Sequence, residues 1–323
     1  MKALQMHLER GVKSKDFDTM KSKNCEIPVS VIIPTYKRPD KLVRCLESVF
    51  KSTYENIEVI VINDDPKSDL KAIIKKFKIR LIQHKKEVYV VKSRNEGARL
   101  AKGEILFFVD DDNIIDKSAI ENMVSKYINI KNVGLIGPLM YDSSGDLWFY
   151  GGKATWINPN VKPVPKTELN KELIETDAIP NAYIISRELY LNMGGEDPSF
   201  PTHEELDLAQ RLKLAGYKNY IYTNAITIHD IGKQAVNLID RPPYRMYATV
   251  MCNFLIERKY APTLRFLLFL FAFVPMHMIL YLLYYIPFKA KNKSEYYKVY
   301  FKGLKKGLFI KSKSIKLSYY LKK

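Results

Sequence analysis

Phe107-Phe108-Val109-Asp110-Asp111-Asp112-Asn113 is the stretch that decides the fold. It continues an apolar run that begins at Ile105, and this run ends in three consecutive carboxylates. A buried strand that ends in acidic residues places oxygen ligands at the carboxyl edge of a sheet, where open α/β sheets bind their ligands. Such ligands suit Mg²⁺ or Mn²⁺, which bind through one or two carboxylates together with substrate phosphates. The triplet alone equally fits a solvated acidic turn, or an N-cap for a helix that begins near Ser118.

Short apolar runs alternate with longer amphipathic segments from Val29 onwards. Near-continuous apolar strands separated by helices are typical of βαβ units and of a parallel sheet that is covered on both faces. The predicted strands are Val29–Ile33, Ile57–Ile62, Ile79–Gln83, Glu104–Val109, Val133–Met140, Tyr183–Ser186, Tyr220–Tyr222 and Ile226–His229. The predicted helices are Pro39–Lys51, Ser68–Phe77, Val90–Ala101, 116–129 and Glu204–Ala215.

The positive charge of the chain is concentrated near its C-terminal end. The formal net charge is +17, and residues 289–323 contain twelve Lys and one Glu, which contribute +11. Because this basic segment directly follows an apolar run, it favours an anionic lipid surface as a partner over a nucleic acid. Cys25, Cys45 and Cys252 lie far apart without paired spacing, so neither a disulfide framework nor a zinc site is predicted.

The apolar run in question, Phe266–Phe288, contains 23 residues and no Asp, Glu, Lys or Arg. This length suffices to cross a bilayer, which takes about 20 apolar residues. Pro275 near its midpoint also allows a re-entrant hairpin or an insertion in the plane of the membrane, and a buried helix of a soluble protein is a third alternative. A single span with a cytoplasmic N-terminal domain would place the basic tail outside, against the positive-inside tendency.

Seven short motifs follow one another along residues 28–232. They are Val29-Ser30-Val31-Ile32-Ile33-Pro34-Thr35-Tyr36, Val59-Ile60-Val61-Ile62-Asn63-Asp64, Arg94-Asn95-Glu96-Gly97, Phe108-Val109-Asp110-Asp111-Asp112, Gly194-Gly195, Glu204-Glu205-Leu206-Asp207-Leu208 with Arg211 and Gly216-Tyr217, and His229 with Gly232. This series resembles the family-2 glycosyltransferases, which are inverting enzymes with a GT-A fold. The resemblance implies a GT-A-like, mostly parallel sheet with helices on both faces, and a glycosyl transfer that depends on Mg²⁺ or Mn²⁺.

The resemblance also implies where the base of a nucleotide-sugar donor binds. Pro34, Thr35 and Tyr36 end the first strand, because proline lacks an N–H for the ladder, and in the family this loop packs on the base. Asn63 and Asp64 end the second strand, and the family places Asp64 or its neighbour on the base. The usual Asp-Asp-Gly-Ser sequence is absent here, which leaves open which acid contacts the base.

For the rest of the donor, the resemblance places Arg94 under the nucleotide, where a guanidinium suits phosphate oxygens. Asp110 is expected on the ribose side and also among the metal residues, Asp112 as the direct metal ligand, and Asp111 in a local hydrogen bond. His229 reaches the metal or the diphosphate in many relatives, although a lone histidine is as often structural.

On the acceptor side, inversion in one displacement requires a general base opposite the leaving diphosphate. The family's usual Glu-Asp pair is Glu204-Glu205 in this chain. Glu205 is therefore predicted as the base, with Glu204 as the alternative.

Three further side chains are weaker candidates for contact with the acceptor or the sugar. Asp207 either serves this purpose or pairs with Arg211, one helical turn away, to brace its helix. Trp148 and Trp156 lie in a loosely patterned segment, where they either stack on a sugar or pack in the core.

The predicted organisation has five parts. They are a polar arm without a secretory signal (1–26), a GT-A glycosyltransferase domain (27–240), a juxtamembrane linker (241–263), a membrane segment (264–288) and a basic interfacial tail (289–323). We predict a hexosyl- or deoxyhexosyltransferase at the cell membrane, with its catalytic domain on the cytoplasmic face. Its donor is expected to be a UDP-, GDP- or dTDP-sugar, and its acceptor a membrane-linked polyprenyl lipid or glycan, with no nucleic-acid partner.

Two other functions fit parts of the pattern. A sugar-1-phosphate nucleotidyltransferase shares the sheet and the metal, but it is expected to have a glycine-rich loop after the first strand, and Pro34-Thr35-Tyr36-Lys37-Arg38 contains no glycine. A non-catalytic membrane-bound protein that binds nucleotide sugars would not need Asp112, Glu205 and Arg94 together.

Overall fold

The chain forms a mixed sheet with helices on both faces, followed by a group of C-terminal helices. The computed structural model describes residues 27–154, 161–230, 243–289 and 292–310. In chain order, the strands are β1 (Val29–Thr35), β2 (Ile57–Asn63), β3 (Arg80–Gln83), β4 (Ile105–Val109), β5 (Asn113–Ile115), β6 (Val133–Asp142), β7 (Leu147–Phe149), β8 (Gly152–Ala154), β9 (Val161–Pro163), β10 (Leu173–Thr176), β11 (Ala182–Ser186) and β12 (Lys218–His229). The helices are α1 (Pro39–Val49), α2 (Lys71–Ile74), α3 (Val90–Leu100), α4 (Ala119–Ile128), α5 (Arg187–Asn192), α6 (Glu204–Leu214), α7 (Pro243–Tyr260), α8 (Thr263–Leu268), α9 (Val274–Ile279), α10 (Ile286–Lys289) and α11 (Lys293–Phe309).

The main sheet has ten strands, and its strand directions determine where the site lies. The order is β10-β12-β6-β11-β4-β1-β2-β3, with β5 beside β12 and β7 beside β6. The strands from β1 to β4 pair in parallel, and β12 is parallel to β6. Because β11 is antiparallel to both β4 and β6, these two strands run in the same direction. The carboxyl ends of β1, β2, β4 and β12 therefore meet at one edge.

Both faces of this sheet are buried, as the near-continuous apolar strands predicted. Leu42 of α1 and Met123 of α4 pack on one face, and Leu208 of α6 packs on the other. Gly97 allows α3 to lie directly on the sheet, because a Cβ there would come within 2.5 Å of Ile32. The predicted α/β sheet is confirmed, and the antiparallel pairs formed by β11, β10 and β7 make it mixed.

Several elements differ from the prediction. The helix predicted at Ser68–Phe77 is only the short α2, in which Ile74 is the one buried residue. The two short strands predicted near the end of the domain form one strand, β12, with an irregular register between Tyr222 and Ile226. The three-residue β5 was not predicted, because it is too short to show a pattern and is stabilised by β12, which lies more than 100 residues away in the sequence.

The C-terminal region is helical, beginning inside the predicted linker. Most of residues 241–263 belongs to α7. Helices α8, α9 and α10 then follow one another through the π-helical turns Phe269–Phe273 and Leu280–Tyr285. Within the described residues, Thr263–Tyr284 is the one helix long and apolar enough to cross a membrane, and Phe269 is its one buried residue. We call Thr263–Tyr284 the apolar helix. The predicted arm 1–26, Trp156, Gly232 and residues 311–323 lie outside the described residues.

Candidate active site

A fully buried arginine joins carboxylates from three parts of the chain. Arg94 Nη2 lies 2.6 Å from Asp110 Oδ1, just after β4. Its Nη1 lies 2.9 Å from both Glu196 Oε1 and Glu205 Oε1, and 3.7 Å from Glu204 Oε1. Burial alone would lower the pKa of the guanidinium, but the surrounding carboxylates raise it well above its ordinary value. These five residues are called the Arg94 cluster below, and its guanidinium points at carboxylates rather than into open solvent.

The three glutamates of the cluster differ in exposure. Glu196 and Glu204 are buried, whereas 15% of the Glu205 side chain is exposed. Burial raises the pKa of Glu196 to about 7, and burial followed by the charge of Glu205 raises the pKa of Glu204 well above its ordinary value. Glu205 is therefore the glutamate that a molecule arriving from solvent can reach, while Glu204 favours its protonated form.

Glu196 was not predicted from the sequence, although two of the motifs hold it in place. The Asn95 side chain makes two hydrogen bonds with the backbone of Glu196. Its Nδ2 donates to the Glu196 carbonyl at 2.8 Å, and its Oδ1 accepts from the Glu196 N–H at 2.9 Å. Gly195 is required beside it, because its φ is +72° and a Cβ would lie 2.2 Å from Asn95 Oδ1. The Tyr183 hydroxyl donates to Glu196 Oε1 at 2.7 Å. The sequence feature that could have identified Glu196 is its position directly after Gly194-Gly195.

Arg38, the N-cap residue of α1, bridges the last two acids of the Asp triplet. Its Nη2 lies 2.5 Å from Asp111 Oδ1, and its Nη1 lies 2.6 Å from Asp112 Oδ2. The Thr35 hydroxyl donates to Asp111 Oδ2 at 2.6 Å, so this hydrogen bond of Asp111 reaches a residue 76 positions away rather than a local one. Burial raises the pKa of Asp111 to about 7. Burial would also raise the pKa of Asp112, but His229 and Arg38 lower it below its ordinary value.

Asp112 and His229 present donor atoms that fit a divalent cation. His229 Nε2 lies 3.4 Å from Asp112 Oδ1, and neither this oxygen nor His229 Nδ1 has a hydrogen-bond partner. Carboxylate oxygen with one imidazole nitrogen suits Mg²⁺ or Mn²⁺ when phosphates complete the coordination. Across the residues that the structure describes, no group of three or more His, Cys, Asp or Glu is arranged to hold a metal unaided. The residues therefore fit a cation shared with a phosphate-bearing ligand.

The end of β2 holds the loop that leads into α3. Asp64 Oδ1 accepts from the Val88 N–H at 2.8 Å and lies 2.8 Å from His84 Nδ1, and Oδ2 accepts from the Tyr89 N–H at 2.7 Å. The Asn63 amide donates to Oε1 of Gln83, at the end of the neighbouring strand β3, at 2.8 Å. These two residues therefore have a structural role, and their predicted contact with the base stays a prediction.

The first-strand loop lies at the same edge of the sheet. Pro34 and Thr35 are buried, while Tyr36 is partly exposed and donates from its hydroxyl to Glu87 Oε2 at 3.2 Å. Trp148 is 42% exposed and packs edge-on against His229, with 5.9 Å between the ring centroids. Of the predicted stacking surfaces, Tyr36 and Trp148 are therefore available to a ligand.

Asp207 has a different environment from the predicted contact with acceptor or sugar. It is fully buried, and its Oδ2 accepts from Arg211 Nε at 2.8 Å, so the predicted pairing of these two residues is confirmed. Its Oδ1 lies 2.6 Å from Lys259 Nζ and accepts from the Tyr260 hydroxyl at 2.5 Å. The acceptor-contact prediction is corrected accordingly, because Oδ2 is occupied by Arg211 within α6, and Oδ1 fastens the end of α7 to α6.

Comparison with known proteins gives a consistent result. Residues 30–193, about half of the chain, match the family model described as Glycosyl transferase family 2. Glycosyltransferase GlyG of Streptococcus pneumoniae is 28% identical over 130 residues, which are 38% of this chain and 43% of that protein. Minor teichoic acid biosynthesis protein GgaB of Bacillus subtilis is 32% identical over 120 residues, which are 35% of this chain and 13% of that protein. The chain thus spans less than two thirds of the length of these curated relatives.

Solved structures resemble the chain in fold. A crystal structure of GalNAc-T7 with UDP, GalNAc and Mn²⁺ aligns with a TM-score of 0.54 and 19% identity, covering 71% of this chain and 51% of that one. At such low identity the likeness shows the fold alone, and the predicted GT-A-like fold is confirmed.

Glu196 makes the stability of the protein depend on pH. Its pKa is about 7 in the folded state against an ordinary 4.5, so the folded state binds the proton more tightly. The contribution of Glu196 is therefore fully present below pH 4.5 and is lost as the pH rises through about 7. Glu196→Gln cannot ionise, and we expect its Tm to fall less than that of the unmodified protein between about pH 5 and pH 8.

Thermal unfolding across this pH range checks the prediction. Glu188→Gln, which changes an exposed glutamate, is the matched control and should keep the pH dependence of the unmodified protein. If the Tm of Glu196→Gln and the Tm of the unmodified protein changed equally with pH, this would contradict the prediction that Glu196 holds a proton in the folded state.

Proposed function

Because the chain belongs to glycosyltransferase family 2, we propose that it is an inverting glycosyltransferase with a nucleotide-sugar donor. The observation that supports this most strongly is the Arg94 cluster. Arg94 joins Asp110, at the end of β4, to Glu205, at the start of α6. An acid on the donor side and a glutamate on the acceptor side are thereby held in one fixed arrangement at the carboxyl edge of the sheet.

On the donor side, the diphosphate would bind to the surface formed by Asp112, His229 and Arg38. Asp112 and His229 would hold Mg²⁺ or Mn²⁺ together with phosphate oxygens, and this cation would neutralise charge on the leaving diphosphate. The Arg38 side chain is 43% exposed and sits on Asp111 and Asp112, so its charge is also available to phosphate oxygens. Pro34, Thr35, Tyr36 and Asp64 would hold the base.

On the acceptor side, Glu205 would act as the general base. It would accept the proton of the acceptor hydroxyl while the hydroxyl oxygen forms a bond to the anomeric carbon. The bond from that carbon to the diphosphate breaks at the same time, and its electron pair leaves with the diphosphate. Attack from the side opposite the leaving group inverts the configuration. Glu204 is less suited to this role, because burial raises its pKa and it favours the protonated form.

The acceptor is proposed to be linked to a membrane, as a polyprenyl lipid or a glycan. The exposed apolar helix and the Lys-rich residues that follow it support attachment to a lipid surface. Similarity to a minor teichoic acid biosynthesis protein is in line with a cell-surface polymer as the product class. The donor would be a UDP-, GDP- or dTDP-sugar of a hexose or deoxyhexose, used on the cytoplasmic face of the cell membrane.

Metal dependence is tested with Asp112→Asn, which removes one charged oxygen ligand. We expect Mn²⁺ to tighten the binding of UDP, GDP or dTDP to the unmodified protein, and the variant to lose this gain by roughly 10-fold or more. Calorimetric titration of each nucleotide in Mn²⁺ and in EDTA measures the effect. Asp40→Asn, an exposed acid on α1, is the control. An undiminished Mn²⁺ effect in Asp112→Asn would remove Asp112 from the metal site.

Base catalysis is tested with Glu205→Gln, which is nearly isosteric and should fold normally. We expect release of nucleoside diphosphate in the presence of acceptor to fall by roughly 100-fold or more, because general bases contribute that much. Nucleotide affinity should stay within about 2-fold, because Glu205 lies on the acceptor side. Glu204→Gln is the matched control and should retain most of the activity. The reverse outcome, an active Glu205→Gln with an inactive Glu204→Gln, would exchange the two roles.

A further inference from the structure

The C-terminal helices form one packed group, which we call the three-helix unit: α7, the apolar helix and α11. The backbones of α7 and α11 touch, because a Cβ on Gly303 would lie 2.7 Å from the carbonyl oxygen of Tyr247. One turn further on, a Cβ on Gly307 would lie 2.7 Å from the carbonyl oxygen of Met251. Both contacts advance in the same direction, so α7 and α11 run parallel to one another in close contact.

The apolar helix packs against both of these helices. Phe269 meets Phe254 of α7, with 5.1 Å between the ring centroids. His277 Nδ1 lies 3.0 Å from the hydroxyl of Tyr300, a buried residue of α11. Residues around the middle of the apolar helix are thus at the same level as the middle of α11.

The other side of the apolar helix is uncovered along its whole length. Large apolar side chains there are more than half exposed: Leu264, Leu268, Phe271, Ile279 and Leu283. A continuous exposed apolar surface of this size marks a site of interaction with a membrane or another protein. The charge of α11 favours the membrane, because that helix exposes Lys298, Lys302, Lys305 and Lys306, which complement anionic headgroups.

The same lysines argue against a crossing of the bilayer. At 1.5 Å per residue, Lys302 and Lys305 lie within about 8 Å of Tyr300 along the helix axis. Tyr300 contacts His277, which lies in the interior of the apolar helix. If the apolar helix spanned the bilayer while packed in this unit, these lysines would lie in the hydrocarbon core, where charged side chains are costly.

We propose that the three-helix unit lies in the plane of an anionic membrane. The exposed side of the apolar helix enters the boundary between headgroups and acyl chains, to the depth of about 5–10 Å that is usual for interfacial helices. The lysines of α11 stay at the level of the headgroups. This inference rests on the proposed membrane attachment, but not on the proposed chemistry.

The in-plane arrangement would fix the active site relative to the membrane. Cys252 and Leu255 of α7 pack with Phe200 and Leu206 of the catalytic domain. The helix that bears Leu206 begins with Glu204-Glu205. Because α7 contacts both the apolar helix and α6, the acceptor-side glutamates are joined to the membrane-bound unit by one rigid helix.

Depth measurement by spin labelling tests the orientation on the full chain. Leu264→Cys, Phe271→Cys and Leu283→Cys are each labelled with a nitroxide in a Cys25→Ser background, since Cys45 and Cys252 are buried. The proteins are bound to phosphatidylglycerol-containing vesicles, and collisions with oxygen and with a water-soluble nickel chelate give the depth. We expect three similar, shallow depths. A label at Phe271 that is much deeper than those at Leu264 and Leu283 would show a span and overturn the proposal.

Three further variants complete the test. A label on Lys305→Cys should remain accessible to the nickel chelate, and protection of that label by the bilayer would contradict the in-plane arrangement. The double variant Lys302→Glu with Lys305→Glu should bind anionic vesicles roughly 10-fold or more weakly, and unchanged binding would contradict the assigned role of α11. The three labels should have the same depths when Glu205→Gln is added to each labelled protein. The orientation in the membrane is thereby tested independently of the proposed chemistry.

Discussion

The ion pairs of Arg94 are the interaction on which the candidate site depends. A guanidinium is stable in a protein interior only where carboxylates surround it, and carboxylates there need a cation in the same way. Arg94 supplies that cation to residues from three separate parts of the chain. Its own position depends on α3, which lies close to the sheet because Gly97 has no side chain. The packing of one helix thereby sets the geometry of both sides of the site.

Two arginines divide the acid-rich edge of the sheet into two regions. Arg94 neutralises the region between β4 and α6, and Arg38 neutralises Asp111 and Asp112. The first arginine is fully buried and has only protein partners, whereas the second is partly exposed. A ligand that bears negative charge can therefore contact Arg38 without breaking the ion pairs of the Arg94 cluster. This division fits the proposed placement of a diphosphate beside Arg38 and of an acceptor hydroxyl beside Glu205.

Features that are local in the sequence were predictable, and features that depend on distant partners were not. Short patterns and motifs predicted the Asp triplet, Glu205 and seven of the ten strands of the main sheet, namely β1–β4, β6, β11 and β12. The contacts of Arg38 join residues more than 70 positions apart, and those of Glu196 with Arg94 join residues about 100 apart, so no local pattern indicates them. Asp207 was a candidate for ligand contact because its partners Lys259 and Tyr260 lie in a segment that was predicted to be a linker rather than a helix.

The case of α7 shows why that linker was not recognised as part of the fold. Its residues face two partners, the catalytic domain on one side and the other C-terminal helices on the other. A helix that is buried on two sides has no single apolar stripe, so its sequence lacks the amphipathic period of a surface helix. Two-sided burial also explains how one helix connects the apolar helix to α6.

The role of Arg94 as the shared counterion is tested most directly by a double-mutant cycle on stability. Arg94→Met is expected to cost about 3–5 kcal/mol of unfolding free energy, because it leaves buried carboxylates without a cation. In a background of Glu196→Gln with Glu205→Gln, the same substitution should cost about 1–3 kcal/mol less, because two of those charges are absent. Denaturant unfolding of the four proteins at about pH 8, above the pKa of about 7 of Glu196, gives this difference. An equal cost of Arg94→Met in both backgrounds would contradict the account.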